Sequence, residues 1–443
     1  MANTYLTRTP STNGNRKKYT ISVWCKRHKP GTVAEIISNN NNGTSIQFAS
    51  GDYIAFAIGT TSDAYVYTNR KFRDVNAWYH LVFAVDTTQG TASNRMKLYV
   101  NGVQETSFST TQYPGQNLDT NMNTSGIQNQ IGANTVYNSY YDGSMSHFHF
   151  IDGTAYDASY FGENDANGVW TIKTSPSVTY GTNGFFILKD GNSVTDRSGN
   201  GNNFTVSGGT LTNTLDCPDD VFATFNPLIY NAAQANYNPL FSNGNTTVAS
   251  NTSVNAFSNA RATLAMTSGK YYAEFKITSS DNNMTIGLIN YQSGFRSTNN
   301  WGLNYQQDGC VGFEATGNIF INSSLSGTSF SGFTTGDIMQ VAFDRTSEKV
   351  WLGKNGTWFN SGNPSNGTNE LLDLSATIGN DEFWTFAVGM YHNVNEVWNA
   401  NFGNGYFGTT AVASAGTNAS GNGIFEYDVP TGFTALSTKG LNL

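Results

Sequence analysis

The chain has 443 residues, enough for two or three domains with real cores, and a net charge of −8 with only 12% charged residues. That balance gives no overall pull toward nucleic acid or an anionic membrane, and no stretch holds the run of about eighteen apolar residues that a spanning helix needs. Aromatics at 14%, 46 Gly against 9 Pro, and crowded Asn, Ser and Thr suit strands and turns; no helical stripe is sustained along the chain.

The opening MANTYLTRTP lacks the apolar segment of an export signal. Arg16, Lys17, Lys18, Lys26, Arg27 and Lys29 make the beginning locally basic, which reads as a solvated or subunit-contacting edge. Tyr19, Ile21 and Val23 alternate with Thr20, Ser22 and Trp24 in a first strand. Ile36–Ser38, Ser45–Ala49, Tyr53–Ile58 and Ala64–Thr68 follow as short strands separated by Gly, Asn and Asp. Then comes YHLVFAVD, a polar loop, and MKLYVNG at 79 to 102. The same pattern returns about 257 residues later as IMQVAFD, RTSE and KVWLGKNG at 338 to 356. In each, Asn-Gly accepts the positive φ of a tight hairpin turn. A run at 140 to 162 places Met145, Phe148 and Phe150 on an inward face and ends in one short helical turn.

Phe185–Lys189 and Asn203–Val206 read as strands that close the first domain or form a small bridging subdomain. The Asn- and Pro-rich stretch 226 to 251 is the expected boundary. Strands at 269–277, 284–289, 309–315, 338–344, 349–355, 383–391 and 396–403 build a second domain, and a tail around Phe433 and Leu436 tucks against it. The expectation is an all-β chain of two tandem jelly-roll β-sandwiches: 1–225 with its core at 19–162, a linker at 226–258, and 259–443. Trp24, Trp351 and Trp384 fall inside strand patterns and are assigned to packing. Cys25, Cys217 and Cys310 form no CxxC pair, which fits free, buried thiols in a reducing cytoplasm.

TISVW at 20–24, WYHLVFAVD at 78–86, KLYVNG at 97–102 and DGSMSHFHF at 142–150 resemble the laminin-G-like branch of the concanavalin-A-like lectins and glucanases. SGKYYAEFKI, IGL, GDIMQVAFD, KVWLGKNG and NANFG between 268 and 403 resemble a SPRY domain. Their order, with SPSVTYGTNGF at 175–185 and VPTGFTALS at 429–437, is similar to virion structural proteins of marine tailed bacteriophages. The resemblance implies a virion surface protein, assembled in the host cytoplasm, whose partners are other virion proteins and host-surface carbohydrate. Open sheet edges suggest a homo-oligomer, without fixing its copy number.

Hydrolysis of a glycan needs two carboxylates facing each other across the sugar. Glucanases resembling the first domain carry Glu-x-Asp-x-x-Glu, whereas Glu163-Asn-Asp165 here lacks the third acid; a non-catalytic role is expected, with a depolymerase or a cellular SPRY-type peptide binder as alternatives. His147 and His149 stand at the spacing of one strand face, a pattern shared by metal edges and ordinary surface pairs. Asp196, Ser198 and Asn200 with Gly201 reproduce the start of an EF-hand calcium loop, yet Ser207 stands where the bidentate Glu belongs, and the same residues make a good turn without an ion. No other cofactor is indicated. Tyr137, Asn138, Tyr140, Tyr141 and Asp142 combine aromatic rings with amide and carboxylate groups and are the candidate glycan platform. Tyr291, Arg296, Asn300 and Trp301 form a second set.

Overall fold

In the strand Lys18–Arg27, Tyr19, Ile21, Val23 and Cys25 are all fully buried on one side, so the period-two pattern is realised as a core-facing strand. The computed structural model describes residues 3–41, 43–59, 64–229, 238–251, 255–292, 302–304, 309–377, 382–391 and 395–442. Among these there is no α-helix, only 3-10 turns such as Ala158–Tyr160. The chain divides into two units, Met1–Asn213 and Thr214–Leu443, each a sandwich of two large antiparallel sheets.

The first unit has an eight-stranded sheet in the order Phe108–Gln112, Ala64–Thr68, Ile54–Ile58, Thr44–Phe48, Ala34–Asn39, Asn129–Ile131, Tyr5–Arg8 and Thr205–Ser207. Its six-stranded partner runs Phe185–Ile187, Gly143–Asp152, Lys18–Arg27, Trp78–Asp86, Met96–Val100 and Val103–Glu105. Ile37, Ile46, Phe48, Phe56 and Val66 from the first sheet meet Ile21, Val23, Phe83, Leu98, Phe148 and Phe150 from the second in one apolar core. On the far side of the six-stranded sheet, Val82, Ile151, Ala158 and Phe161 form a smaller cluster under Tyr156, Trp170 and Tyr180. The strands Phe185–Ile187 and Thr205–Ser207 pair with Gly143–Asp152 and Tyr5–Arg8, so both close this unit.

The second unit has a nine-stranded sheet whose centre is Thr247–Ala249, Val397–Asn401, Lys270–Ser279, Ile338–Asp344 and Lys349–Lys354. Facing it are Phe257–Arg261, Trp384–Tyr391, Thr285–Asn290, Cys310–Glu314, Asn318–Ile321 and Ser324–Ser329. Phe225, Phe275, Ile286, Phe313, Val341, Phe386 and Trp398 lie in its core. The C-terminal segment covers a second cluster of Tyr272, Trp351, Phe425 and Phe433, and Thr434–Ala435 pairs in parallel with Tyr271 and Tyr272. Glu274 anchors this segment by accepting the backbone N–H groups of Glu426 and Tyr427, both at 2.8 Å.

Two expectations change. The division falls after Asn213 rather than within 226–251, because Phe222, Ala223 and Phe225 are buried in the second unit, and part of the supposed linker forms the strands Thr247–Ala249 and Phe257–Arg261. Lys26 and Arg27 are buried instead of lining a solvated edge: Arg27 Nη1 donates to Asp52 Oδ1 at 2.7 Å and its guanidinium lies over the Phe48 ring. Trp24, Trp351 and Trp384 are packing residues, as the strand pattern indicated. All three cysteines are free thiols; Cys25 and Cys310 are buried, and Cys217 is half-buried.

Candidate functional site

The five residues of the Tyr137–Asp142 platform do not share one surface. Ala133–Asn134 and Ser139–Tyr140 pair as a small hairpin, and Ser38 Oγ donates to the Ala133 carbonyl at 2.7 Å, fastening the hairpin onto the strand Ala34–Asn39. At its tip Tyr137 is 60% exposed, and Asn138 takes a left-handed conformation (φ 51°). Tyr140 is half-buried with its ring 6.1 Å from that of Tyr5. Tyr141 turns inward: its hydroxyl donates to the Lys26 carbonyl at 3.0 Å, its ring packs on the core, and burial drives the phenol well above its ordinary value. Asp142 lies 3.8 Å from His28, which holds its carboxyl below the usual range. Tyr141 is therefore a core plug and leaves the candidate platform. Of the second set, Tyr291 accepts from Asn226 at 3.1 Å, while Arg296, Asn300 and Trp301 lie outside the described residues.

The Asp196 loop has the geometry of a turn. Asp196 Oδ1 accepts from the N–H of Phe186 and Ser198, both at 2.8 Å, and Oδ2 accepts from Ser198 Oγ at 2.8 Å and Asn202 N at 2.9 Å. Four donors occupy the four acceptor sites of the carboxylate. Asn200 contributes its NH₂ to the carbonyls of Gly181 and Gly184. Glu163 is exposed beside Lys173 at 3.5 Å, and Asp165 caps its own turn by accepting from Asn167 and Val169.

His147 and His149 do not share a strand face. The pairing slips between Ser146 and His149, and His147 sits at φ 48°, so the alternation breaks between them. His149 Nδ1 meets Tyr180 Oη at 2.9 Å under the Phe186 ring. His80 is stacked between Trp24 and Trp170. Trp170 Nε1 can only donate, so His80 Nδ1 accepts and Nε2–H donates to Ser22 Oγ at 2.9 Å; burial lowers the ring's pKa to about 3 and keeps it neutral.

A different surface collects the groups suited to a hydroxyl-rich ligand: the outward face of the eight-stranded sheet. In IAFAI and AYVYT the large apolar residues point inward, leaving Ala55 and Ala57, then Tyr65 and Tyr67, pointing out. Register places Ala55 between Gln47 and Tyr67, and Ala57 between Ser45 and Tyr65. The two alanines thus floor a trough whose walls stand two strand spacings apart, about 10 Å. The Tyr65 and Tyr67 rings stack at 5.2 Å, Tyr53 follows at 5.5 Å from Tyr67, and Lys71 Nζ lies 4.9 Å above the Tyr53 ring. Burial first, then the neighbouring phenols of Tyr53 and Tyr65, raise the Tyr67 pKa. On the opposite side Ser45 Oγ donates to Glu35 Oε1 at 2.9 Å. Glu35 is fully buried beneath this wall, its Oε2 has no hydrogen-bond partner, and desolvation pushes its pKa up to about 8. Sequence reasoning passed over this face, although its small and aromatic residues were legible once the strands were read with period two.

Residues 2–158 match the family model described as the concanavalin A-like lectin/glucanases superfamily. Among solved structures, the SPRY domain of human HERC1 is similar at 18% identity, covering 40% of this chain and 96% of that one, with a TM-score of 0.30. A Bacteroides ovatus protein provisionally described as carbohydrate binding is similar at 16% identity; 49% of this chain covers 59% of that chain, with a TM-score of 0.34. The heptameric SAP-like pentraxin of Limulus polyphemus is similar at 18% identity over 34% of this chain and 71% of that one, with a TM-score of 0.26. No curated protein matches the chain. The first unit thus carries the concanavalin-A-like lectin fold.

Proposed function

We propose that the protein is a non-catalytic carbohydrate-binding component of a virion surface, a knob, appendage tip or capsid decoration that packs on other virion proteins and touches host-surface glycan. The observation that carries the binding role is the outward face of the eight-stranded sheet, where phenol, amide and hydroxyl groups line both sides of an alanine floor. The match of residues 2–158 to a lectin and glucanase superfamily supports the same ligand class. A non-catalytic role is supported because Glu35 is the one carboxylate among the outward positions from Ala34–Asn39 to Phe108–Gln112, whereas glycoside hydrolysis asks for two. Placement on a phage particle rests on the sequence signatures at 175–185 and 429–437.

The test has two arms. Purified protein incubated with host polysaccharide should be retained by it and release no new reducing ends; release of reducing ends that is lost in Glu35→Gln would establish a hydrolase instead. Antibody labelling of purified particles in the electron microscope should mark the surface, and absence of the protein from particles would remove the virion role.

A further inference from the structure

Strand pairing sets the trough between two chemically different walls. Gln47 and Ser45 offer an amide and a hydroxyl on one side; Tyr65 and Tyr67 offer phenols on the other, with Thr110 and Gln112 exposed on the next strand outward. All eight side chains that surround or floor the trough, those six with Ala55 and Ala57, carry no charge at neutral pH. Among the described residues the only carboxyl beneath them, Glu35, excludes an anionic ligand if ionised and supplies no positive charge if protonated. Because the backbone of Ile54–Ile58 is paired on both sides, an extended peptide finds no free strand edge along the floor. The two methyl groups of that floor give no pocket for a large apolar side chain. An extended ligand bearing hydroxyls along both flanks satisfies both walls.

Resting on the carbohydrate-binding reading above, we propose that this trough holds a linear, uncharged glycan lying along the strand Ile54–Ile58, with Gln47 and Ser45 reading its hydroxyls from one side and Tyr65 and Tyr67 from the other. Glu35 acts as a positioning residue: by accepting the Ser45 hydroxyl proton it turns the Ser45 oxygen lone pairs toward the ligand. Lys71 stands at the far end of the tyrosine row, beyond Tyr53, where its ammonium lies over the Tyr53 ring and donates to the Gly51 carbonyl at 2.9 Å.

The experiment is calorimetric titration of the full chain with neutral hexasaccharides (cello-, malto- and mannohexaose) and with acidic ones (oligogalacturonate and a sulfated galactan hexasaccharide). At least one neutral ligand should bind and the acidic ones should not. Ala57→Phe, which fills the floor, should abolish binding, and Gln47→Ala should weaken it about tenfold, the worth of one well-placed hydrogen bond. Should Ala57→Phe fail to fold, Gln47→Ala and Tyr65→Phe, both on half-buried wall residues, decide the matter. Neutral binding that survives both wall variants unchanged overturns the trough while leaving carbohydrate binding intact. Tighter binding of the acidic ligands overturns the uncharged class. Retention of none of the saccharides by the wild type, together with no retention on host polysaccharide, overturns the carbohydrate reading itself.

Discussion

Tyr137 and Tyr141 stand four residues apart, yet their substitution should have opposite outcomes. Tyr141→Ala removes a core ring and the donor to the Lys26 carbonyl, and should cost about 3–5 kcal/mol in urea denaturation. Tyr137→Ala, at an exposed hairpin tip, should stay within about 0.5 kcal/mol of wild type. Composition placed the aromatic rings of 137–142 in one loop but could not say which way each pointed. The hairpin pairs Tyr140 with Ala133 and lets Tyr141 drop back toward Lys26, a long-range arrangement that no local pattern encodes. The trough was more legible, since alternation alone sends Ala55, Ala57, Tyr65 and Tyr67 to one side. Register was the missing part, because it decides which residues face one another across strands.

The twice-written element is the clearest case of sequence specifying structure. In both units its first strand ends in an Asp that receives a lysine from the neighbouring strand: Lys18 to Asp86 at 3.3 Å and Lys270 to Asp344 at 3.1 Å. Each closes on an Asn-Gly turn, Asn101 and Gly102 at φ 46° and 82°, Asn355 and Gly356 at φ 50° and 84°. Each asparagine side chain then accepts a backbone N–H from the element's first strand, His80 or Ile338, both at 2.8 Å. A valine at either glycine meets about 1–3 kcal/mol of backbone strain. Gly102→Val should be the worse, because a Cβ there would come within 2.5 Å of the Trp170 ring, against 3.0 Å from Tyr427 at Gly356. Amide hydrogen exchange of the two hairpins checks the order; equal loss of protection would show that Trp170 yields freely. Elements lacking such a signature were not legible. Tyr5–Arg8 and Asn129–Ile131 are short and hold their places through partners distant in sequence, while Ser324–Ser329 is a polar edge strand held by its neighbour Asn318–Ile321.

Across the whole molecule, Glu35 and Glu396 are buried carboxyls, each with one oxygen lacking a hydrogen-bond partner, and burial raises both to about 8. The unfolded groups titrate near 4.5, so between about pH 4.5 and 8 the folded chain keeps protons that the unfolded chain loses. Their contribution is complete below that window and falls as pH rises through it, by a few kcal/mol for each group. Carboxylates held low, Asp52, Asp86 and Asp344 among them, act in the other direction and withdraw their stabilisation only below about pH 4. The imidazoles of His80, His147 and His149, held low by burial, add stability as the unfolded rings lose their protons up to about pH 6.5, and offset the carboxyls there. Denaturant midpoints should therefore decline only from about pH 6.5 toward pH 8. The double change Glu35→Gln with Glu396→Gln should reduce that decline, buried Glu274, raised to about 7, supplying the remainder. A midpoint that climbs between about pH 6.5 and 8 would show that both carboxyls are ionised in the folded chain.

Cys217 gives the molecule a chemical handle. Cys25 is sealed in the core of the first unit and Cys310 in a small apolar cluster with Ile289, Leu303 and Ala387, which leaves one half-buried sulfur for a maleimide to reach in the native state. Burial and the carboxylates of Asp219 and Asp216 raise its pKa, so the reactive thiolate is scarce at neutral pH and increases as the solution is made alkaline. Mild alkaline labelling of the unaltered chain should attach a single fluorophore, near Asp220 on the segment that opens the second unit, and give an optical reporter of that unit without any engineered residue.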